Sequence, residues 1–267
     1  MPGSAKTFHD LHHQATVLRL PNAWDAGSAR LFESLGATAI ATTSAGVAWS
    51  QGYADGRVFP IEVAVSVAAS MARLIQVPLS VDIENGYSDD PHTVADNVKR
   101  LLDVGAVGIN LEDGPDAPEL LARKIEAIKN IAAKGGLDVF INARTDVFLA
   151  GLAAERQRVQ ESLRRGKLYQ QAGADGLFVP AVIHVEEIQA IVQGIDLPIN
   201  VLARPGLPSA DELAALGVRR LSAGSGVAQT LWGQAEQLAR GFLEEGRSET
   251  VTQSSLSYPQ IQALFDH

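Results

Sequence analysis

The chain has 267 residues, of which 46% are hydrophobic and 20% charged, a composition typical of one folded α/β domain and unlike that of a disordered chain. Its formal charge of −9 argues against nucleic acid or an anionic membrane as the main partner, because both are bound by clustered basic side chains. The chain contains no cysteine, which excludes disulfides, thiolate metal sites and a cysteine nucleophile.

The first fourteen residues are polar and lack the apolar core of a signal peptide. No segment approaches the roughly 18 uninterrupted apolar residues of a membrane span. We therefore predict a cytoplasmic protein. His9 and His13 would share one face of a helix, so His9, His12 and His13 are open to interpretation as a metal site, but we prefer an exposed first helix.

Short β-rich segments recur along the chain, and each is followed by a turn and a stretch with helical periodicity. Eight segments are predicted to be strands: Val17–Leu20, Thr38–Thr43, Pro78–Val81, Val107–Leu111, Asp138–Ala143, Gly176–Val179, Pro198–Leu202 and Arg219–Ser222. Alternation of strand and helix favours a parallel sheet, and eight units in about 200 residues favour a closed barrel over an open sheet. The predicted fold is an α/β (β/α)₈ TIM barrel.

Two local patterns support the intervening helices. Four helices are predicted to end in a glycine, which relieves the left-handed turn at a helix C-terminus: Gly36, Gly105, Gly173 and Gly217. In two helices, apolar residues at helical spacing predict stripes that face the core: Leu31, Phe32 and Leu35 in one, and Val98, Leu101 and Leu102 in the other.

No linker divides the chain before residue 246, so we predict a catalytic barrel domain over residues 1–246 and a tail with a short helix over residues 247–267. The tail is polar up to Pro259 and then carries Ile261, Leu264 and Phe265. Such an apolar group needs to be covered by its own barrel or by another subunit, and we favour a neighbouring subunit.

Acidic residues follow the third and fourth predicted strands. Asp82 and Glu84 come after the third strand and Glu112 after the fourth. Neighbouring parallel strands lie about 4.8 Å apart, so these carboxylates can converge on one ion at the end of the barrel where chemistry usually occurs. Without a cation, neighbouring carboxylates would raise one another's pKa. Oxygen ligands alone predict Mg²⁺, with Mn²⁺ as the alternative.

Other strand ends carry groups suited to an anionic substrate. Arg144, after the fifth strand, offers a planar fork that can hold a carboxylate or an enolate oxygen, although an ion pair with one of the acids is the alternative. The segment Thr42–Gly46 after the second strand offers hydroxyl and backbone N–H groups to a substrate carboxylate. Asp113 and Asp146 fit either the site or a helix cap.

Four segments, in this order, resemble the isocitrate lyase and phosphoenolpyruvate mutase superfamily over nearly the whole chain. They are Thr43–Val47 with Gly52–Asp55, Val81–Tyr87, Leu111–Asp113 and Ala143–Asp146. The resemblance implies a (β/α)₈ barrel that binds Mg²⁺ and stabilises the enolate of a small 2-oxo acid. It also implies a homo-oligomer, usually a tetramer, in which the C-terminal helix is exchanged between subunits.

For the metal, the resemblance implies that Asp82 is a direct ligand and that Glu84 and Glu112 hold metal-bound waters. Asp55 would orient the metal site. For the substrate, it implies that the segment Thr43, Ser44, Ala45 and Gly46 binds the carboxylate, that Arg144 contacts the oxygens and that Asn200 lines the pocket.

The chain departs from this family in three places. It lacks the Lys-Lys-Cys-Gly-His loop whose cysteine serves the lyases as an acid, and the gating segment Gly114–Glu119 is short. Glu84 stands where the family more often has Asp. Since loss of CO₂ needs no acid, we predict decarboxylation or hydrolytic cleavage of an oxaloacetate-like acid. Cleavage of isocitrate or 2-methylisocitrate and a phosphonate phosphomutase reaction are the alternatives.

Two further interpretations stay open at this point, and a third is disfavoured. Gly224-Ser225-Gly226 could bind phosphate, as in a phosphosugar isomerase, or simply form the turn into the helix predicted over Val227–Phe242. The short gating segment is also compatible with a 2-oxo-acid binding protein of weak activity. A dehydrogenase is disfavoured because no Gly-x-Gly-x-x-Gly follows the first strand.

Overall fold

The computed structural model describes residues 4–56, 58–252 and 255–266. In this part of the chain nine strands form one parallel sheet: β1 (Leu18–Leu20), β2 (Asn22–Ala23), β3 (Ile40–Thr42), β4 (Leu79–Asp82), β5 (Gly108–Glu112), β6 (Phe140–Arg144), β7 (Gly176–Phe178), β8 (Ile199–Leu202) and β9 (Arg220–Ser222).

Helices surround the sheet: α1 (Ala5–Leu11), α2 (Ala26–Ser34), α3 (Ser44–Ser50), α4 (Ile61–Leu74), α5 (Pro91–Asp103), α6 (Pro118–Lys134), α7 (Arg158–Gln171), α8 (Val185–Gly194), α9 (Ala210–Leu216), α10 (Gly226–Glu245), α11 (Ser248–Thr252) and α12 (Tyr258–Gln262). A single 3₁₀ turn, Glu155–Gln157, precedes α7. None of these helices is long and apolar enough to cross a membrane.

The first strand is broken in two at Pro21. β1 pairs with β9, whereas β2 pairs with β3, so the two short strands connect the ends of the sheet. Proline has no N–H to contribute to a ladder, which accounts for the interruption at this residue. Counted as one position, β1 and β2 complete the eight strands of a TIM barrel, and the predicted fold class is confirmed.

Alternation along each strand separates two cores. Outward-facing residues such as Ile109, Ile141 and Val201 are fully buried beneath the helices, in the larger apolar cluster. Inward-facing residues at the N-terminal end of the barrel form a second cluster, which includes Leu20 and Phe140. The interior is therefore packed with side chains and is not an open channel.

The glycines predicted to end helices have the expected conformation, with φ of +94° at Gly36, +108° at Gly105, +103° at Gly173 and +95° at Gly217. The predicted core stripe of α5 is also correct. In α2, however, the stripe prediction is wrong for Leu35, which is 76% exposed. Leu35 is the C-cap residue of that helix, so it leaves the helical face that the pattern assumed.

Helix α1 closes the N-terminal end of the barrel. Phe8 and His12 are buried, and both rings contact Phe140, with centroid distances of 5.3 Å and 4.0 Å respectively. The Nδ1–H of His12 donates to the Phe8 carbonyl oxygen over 2.7 Å. The prediction of an exposed first helix is therefore wrong for this face, because the barrel needs an apolar plug at its base.

The C-terminal segment folds back towards α2, where Arg30 Nε donates to the Leu264 carbonyl oxygen over 2.8 Å. Ile261 and Phe265 nevertheless remain 44% and 38% exposed. The domain boundary at residue 246, the exchange of this segment between subunits and the oligomeric state all stay predictions.

Candidate active site

A cavity of about 250 Å³ opens at the C-terminal ends of the strands. Six of its lining residues were predicted from the sequence as site residues: Thr43, Ser44, Ala45, Asp55, Asp82 and Arg144. The barrel therefore brings together segments that lie far apart in the chain, from Thr43 to Arg144. Asp55 occupies an exposed loop at the edge of this cavity.

Asp82 is the last residue of β4, and each of its carboxylate oxygens faces an N–H donor. The backbone N–H of Glu84 lies 3.1 Å from Oδ1, and Asn110 Nδ2 lies 3.4 Å from Oδ2. Burial raises the pKa of Asp82, Arg144 opposes this effect and the charge of Asp55 adds to it. The two donors therefore hold the Asp82 carboxylate as a hydrogen-bond acceptor, although its burial disfavours the charged form.

The loop after β4 has an unusual backbone. Glu84 and Tyr87 have φ of +52° and +60°, a left-handed conformation that costs a non-glycine residue roughly 1–3 kcal/mol. Side chains of neighbouring helices hold the loop: Lys124 Nζ donates to the Asn85 carbonyl oxygen over 2.9 Å and Asn97 Nδ2 to that of Gly86 over 3.1 Å. Glu84 itself is buried, with 3% of its surface exposed.

Arg144, the last residue of β6, lies between two carboxylates. Its Nη1 is 2.7 Å from Glu112 Oε2, and Nε and Nη2 bind the two oxygens of Asp146 over 2.7 Å and 3.0 Å. Burial raises the pKa of Glu112 to about 8 against the opposing charge of Arg144, and Asp82, Asp146 and Glu84 contribute to the rise. Negative charge is therefore concentrated around a single guanidinium.

Asp113 has a structural position and does not face the cavity. Its side chain is fully buried and accepts hydrogen bonds from Arg165 Nη1 over 2.8 Å and Tyr169 Oη over 2.6 Å, both on α7. Its other oxygen accepts from the backbone N–H of Asp146 over 2.9 Å. Neither predicted role, site ligand or helix cap, describes Asp113, which braces the loop after β6 against α7.

The predicted metal residues are close in space but do not form a closed ligand cage. Across the residues that the structure describes, no three His, Cys, Asp or Glu side chains are placed to hold a metal ion. His9, His12 and His13 are likewise not placed as a metal site within the described residues. Asp82 and Glu112 do lie near enough for Asp82 to raise the pKa of Glu112. Their oxygen donors and unbalanced negative charge fit a hard divalent cation that keeps much of its water shell.

Four predicted site residues do not line the cavity: Glu84, Glu112, Asn200 and Gly46. Asn200 is buried beneath the cavity, where its Oδ1 accepts a hydrogen bond from Ser222 Oγ over 3.2 Å. Gly46 lies in a tight contact, since a Cβ atom there would be 2.7 Å from Thr43 Cγ2 and 3.0 Å from Trp24 Cβ. Glycine at position 46 therefore allows α3 to pack against the barrel.

The phosphate interpretation of residues 224–226 receives little support. Gly224 N–H already donates to Asn22 Oδ1 over 2.8 Å, and α10 begins at Gly226. The segment forms the turn into α10, as the simpler interpretation expected. Gly224 and Ser225 nevertheless line the cavity.

Sequence reasoning missed much of the cavity wall. The missed residues include three polar ones, Asn22, Asn110 and Ser222, and four apolar ones, Leu149, Phe178, Pro180 and Leu202. A period of two would have found Asn110, because it lies two residues before Glu112 and so faces the same side of its strand. The apolar residues resemble ordinary core positions, and no sequence signal separates them from the core.

Comparison with known proteins assigns the family. The sequence profile described as phosphoenolpyruvate phosphomutase matches residues 8–243. The chain belongs to this family. A Mycobacterium tuberculosis protein of uncharacterized function is 44% identical to it over 224 residues, which is 82% of each chain.

Relatives with named activities are more distant. Oxaloacetate decarboxylase of Pseudomonas fluorescens is 27% identical over 83% of this chain and 78% of its own length. 2-Methylisocitrate lyase of Halalkalibacterium halodurans is also 27% identical, over 73% and 66%. The crystal structure of a candidate lyase or mutase from Burkholderia cenocepacia J2315 superimposes with a TM-score of 0.89 at 32% identity, covering 98% of this chain and 95% of that one. Family membership supports an enzyme, while the relatives differ in reaction.

Proposed function

We propose that this protein is a Mg²⁺-dependent, or Mn²⁺-dependent, lyase that breaks a carbon–carbon bond beside the carbonyl of a small 2-oxo acid. The observation that carries the proposal is the cavity in which Asp82 and Arg144 meet, with Glu112 paired to the same arginine. Its volume of about 250 Å³ suits a small organic acid. The names of two relatives contain small organic acids, oxaloacetate, which is a 2-oxo acid, and 2-methylisocitrate, which is a hydroxy acid.

The donors present fit the metal. Asp82 would hold it directly, and Glu112 and Glu84 would act through water, which is compatible with the absence of a three-residue cage among the described residues. When bound, a divalent ion polarises the 2-oxo group and stabilises the negative charge that develops there as the adjacent bond breaks. A divalent ion would also relieve the repulsion between these carboxylates, which would favour its binding.

The chain's own residues would orient the acid. Thr43, Ser44 and Ala45 line the cavity. The hydroxyls of Thr43 and Ser44 and the backbone N–H groups of Ser44 and Ala45 would bind the C1 carboxylate, whereas the Thr43 N–H already donates to the Ala23 carbonyl oxygen over 3.1 Å. Arg144, held by Glu112 and Asp146, would direct its remaining N–H groups to the 2-oxo oxygen, where charge accumulates. Asp55, at the edge of the cavity, would orient the water around the metal.

Two features favour an oxaloacetate-like substrate. In decarboxylation the C3–C4 electron pair moves into the enolate while CO₂ departs, so no acid is needed at the leaving group. Isocitrate-type cleavage needs an acid to protonate the departing carbanion, and this chain has no cysteine for that task. The short loop between Asp113 and the start of α6 at Pro118 also leaves little chain for a gate.

A substrate panel tests the proposal. Purified protein with Mg²⁺ is incubated with oxaloacetate, isocitrate, 2-methylisocitrate and phosphonopyruvate, and the products are resolved by chromatography. We expect pyruvate and CO₂, or oxalate and acetate, from oxaloacetate. Products from isocitrate or 2-methylisocitrate alone would establish the alternative lyase reaction. Asp89→Ala, which removes an exposed acid from the loop that follows Asp82, is the control for Asp82→Ala.

The short gating loop favours a second candidate, a 2-oxo-acid binding protein that turns over slowly because water reaches the cavity. Calorimetry separates the two. Tight binding of oxaloacetate with no metal-dependent product from any acid on the panel would favour binding over catalysis.

A further inference from the structure

A buried cation lies beneath the cavity floor. Arg220, at the start of β9, has no exposed surface, and within the described residues its side chain donates hydrogen bonds to Ser222 and Asn110 and not to a carboxylate. Its Nη1 has no hydrogen-bond partner among the described residues. Its Cζ lies 6.0 Å from the centroid of the Phe8 ring. Burying an arginine without a carboxylate partner costs free energy of folding, so its remaining contacts point to a function.

Arg220 contacts two residues that line the cavity. Its Nε donates to Ser222 Oγ over 3.1 Å, and its Nη2 donates to Asn110 Oδ1 over 3.2 Å. Burial lowers the pKa of Arg220 to about 9, and Asp82 is the acid whose charge opposes that effect. The guanidinium fork therefore holds two polar side chains of the cavity wall and lies close enough to Asp82 to feel its charge.

The orientation of the Asn110 amide follows from these donors. Its Oδ1 accepts from Arg220 and also from Asn142 Nδ2, which lies 2.9 Å away. An amide with two donors at its oxygen must present its NH₂ group on the other side, because a flipped amide would place donor against donor. That NH₂ group lies 3.4 Å from Asp82 Oδ2.

We propose that Arg220 is a positioning residue: by fixing the Asn110 amide, it holds the Asp82 carboxylate in the orientation that binds the metal. This inference rests on the proposed function, since it concerns the same site. It adds a role for a residue more than 130 positions away from Asp82 in the chain.

Manganese binding to the intact protein tests the proposal without any substrate. Mn²⁺ dissociation constants are measured by calorimetry for the wild type, Arg220→Lys and Asn110→Leu, and thermal unfolding is recorded for each. Lysine keeps the charge but, as a single point donor, cannot hold Ser222 and Asn110 together. We expect both variants to bind Mn²⁺ about 10-fold to 100-fold more weakly, the range found when groups that orient metal ligands are removed.

The control is Lys129→Met. Lys129 forms a part-buried ion pair with Asp175 over 2.6 Å and donates to the Val139 carbonyl oxygen over 2.8 Å, away from the cavity. The Lys129→Met variant should unfold at a lower temperature than the wild type, while its Mn²⁺ affinity stays within twofold of the wild-type value. A residue with a purely structural role would behave in the same way.

Arg220→Lys with unchanged Mn²⁺ affinity would overturn the positioning role, whatever its unfolding temperature. If that variant does not fold, Asn110→Leu decides, and unchanged affinity there has the same meaning. A wild-type protein that binds no Mn²⁺ would instead refute the proposed function, and the positioning role with it. The two failures are therefore distinguishable.

Discussion

The two ends of the barrel interior differ in chemistry although the same strands build both. On β6, successive inward-facing residues are Phe140, Asn142 and Arg144. Phe140 packs against the plug from α1, Asn142 belongs to a buried amide layer, and Arg144 lines the cavity. One strand thus passes from apolar packing to charge within five residues.

The N-terminal end of the barrel interior contributes mainly to stability, and the C-terminal end contains the candidate active site. The N-terminal end is closed by aromatic and aliphatic side chains, whose burial contributes to the free energy of unfolding. The C-terminal end collects carboxylates that repel one another, together with left-handed backbone at Glu84, Tyr87 and Ala181. Features that cost stability are thus found where barrels place their active sites.

The largest expected effect is loss of activity at the C-terminal end. Asp82→Ala should abolish metal-dependent turnover, because it removes the proposed direct ligand. Its free energy of unfolding should change little, since a partly buried acid among like charges contributes little to the core. Steady-state kinetics and urea unfolding measure both. Retained turnover would show that the metal site lies elsewhere.

Arg144→Lys should lower kcat by about 10²-fold or more, because lysine keeps the charge but loses the donor geometry at the developing oxyanion. Arg164→Lys, on the exposed face of α7, is the matched control and should leave kcat unchanged. Kinetics with saturating metal measure both variants. Near-normal kcat for Arg144→Lys would reduce Arg144 to an ion-pair partner of Glu112 and Asp146.

At the opposite end, Phe8→Ala should lower the free energy of unfolding by about 3–5 kcal/mol, since it empties part of the plug. The kcat of the folded protein should stay within twofold of the wild type. Leu35→Ala, at a residue 76% exposed, is the control and should shift stability by no more than about 0.5 kcal/mol. A large loss of kcat in Phe8→Ala would show that the two ends are coupled.

The smallest expected effect is a pH dependence of stability in metal-free protein. The pKa of Glu112 is about 8 in the folded state against an ordinary 4.5, so between these values the folded state keeps a proton that the unfolded state has lost. Stability conferred by this group therefore falls as the pH rises from about 5 to 8. Glu112→Gln should lack that fall, which urea unfolding at pH 6, 7 and 8 with EDTA would measure.

His12 provides the internal reference for that experiment. Burial lowers its pKa from 6.5 to about 3, so its contribution to stability is lost as the pH falls below 6.5. This effect is common to the wild type and Glu112→Gln and cancels in the difference between them. Parallel curves for the two proteins would contradict the raised pKa of Glu112.

Local patterns predicted the parts of the molecule that depend on local physics. The alternation of strands and helices and the glycines at helix ends follow from periodicity and backbone sterics, and they were correct. The sequence also pointed to Asp82, Glu112 and Arg144 as candidate site residues, because charged residues at the ends of buried strands are rarely placed there for packing. The helix α1 was misjudged because a seven-residue helix with one buried phenylalanine has no distinctive pattern.

The sequence by itself determined the barrel, the family and the acids at the strand ends, because strand-helix alternation and strand-end polarity are written in neighbouring residues. Only the tertiary structure decided that α1 plugs the base, that Asp113 braces α7 and that Arg220 lies beneath Asn110 and Asp82. These are contacts between distant segments, and they depend on the stagger with which the barrel closes. No local pattern contains that information.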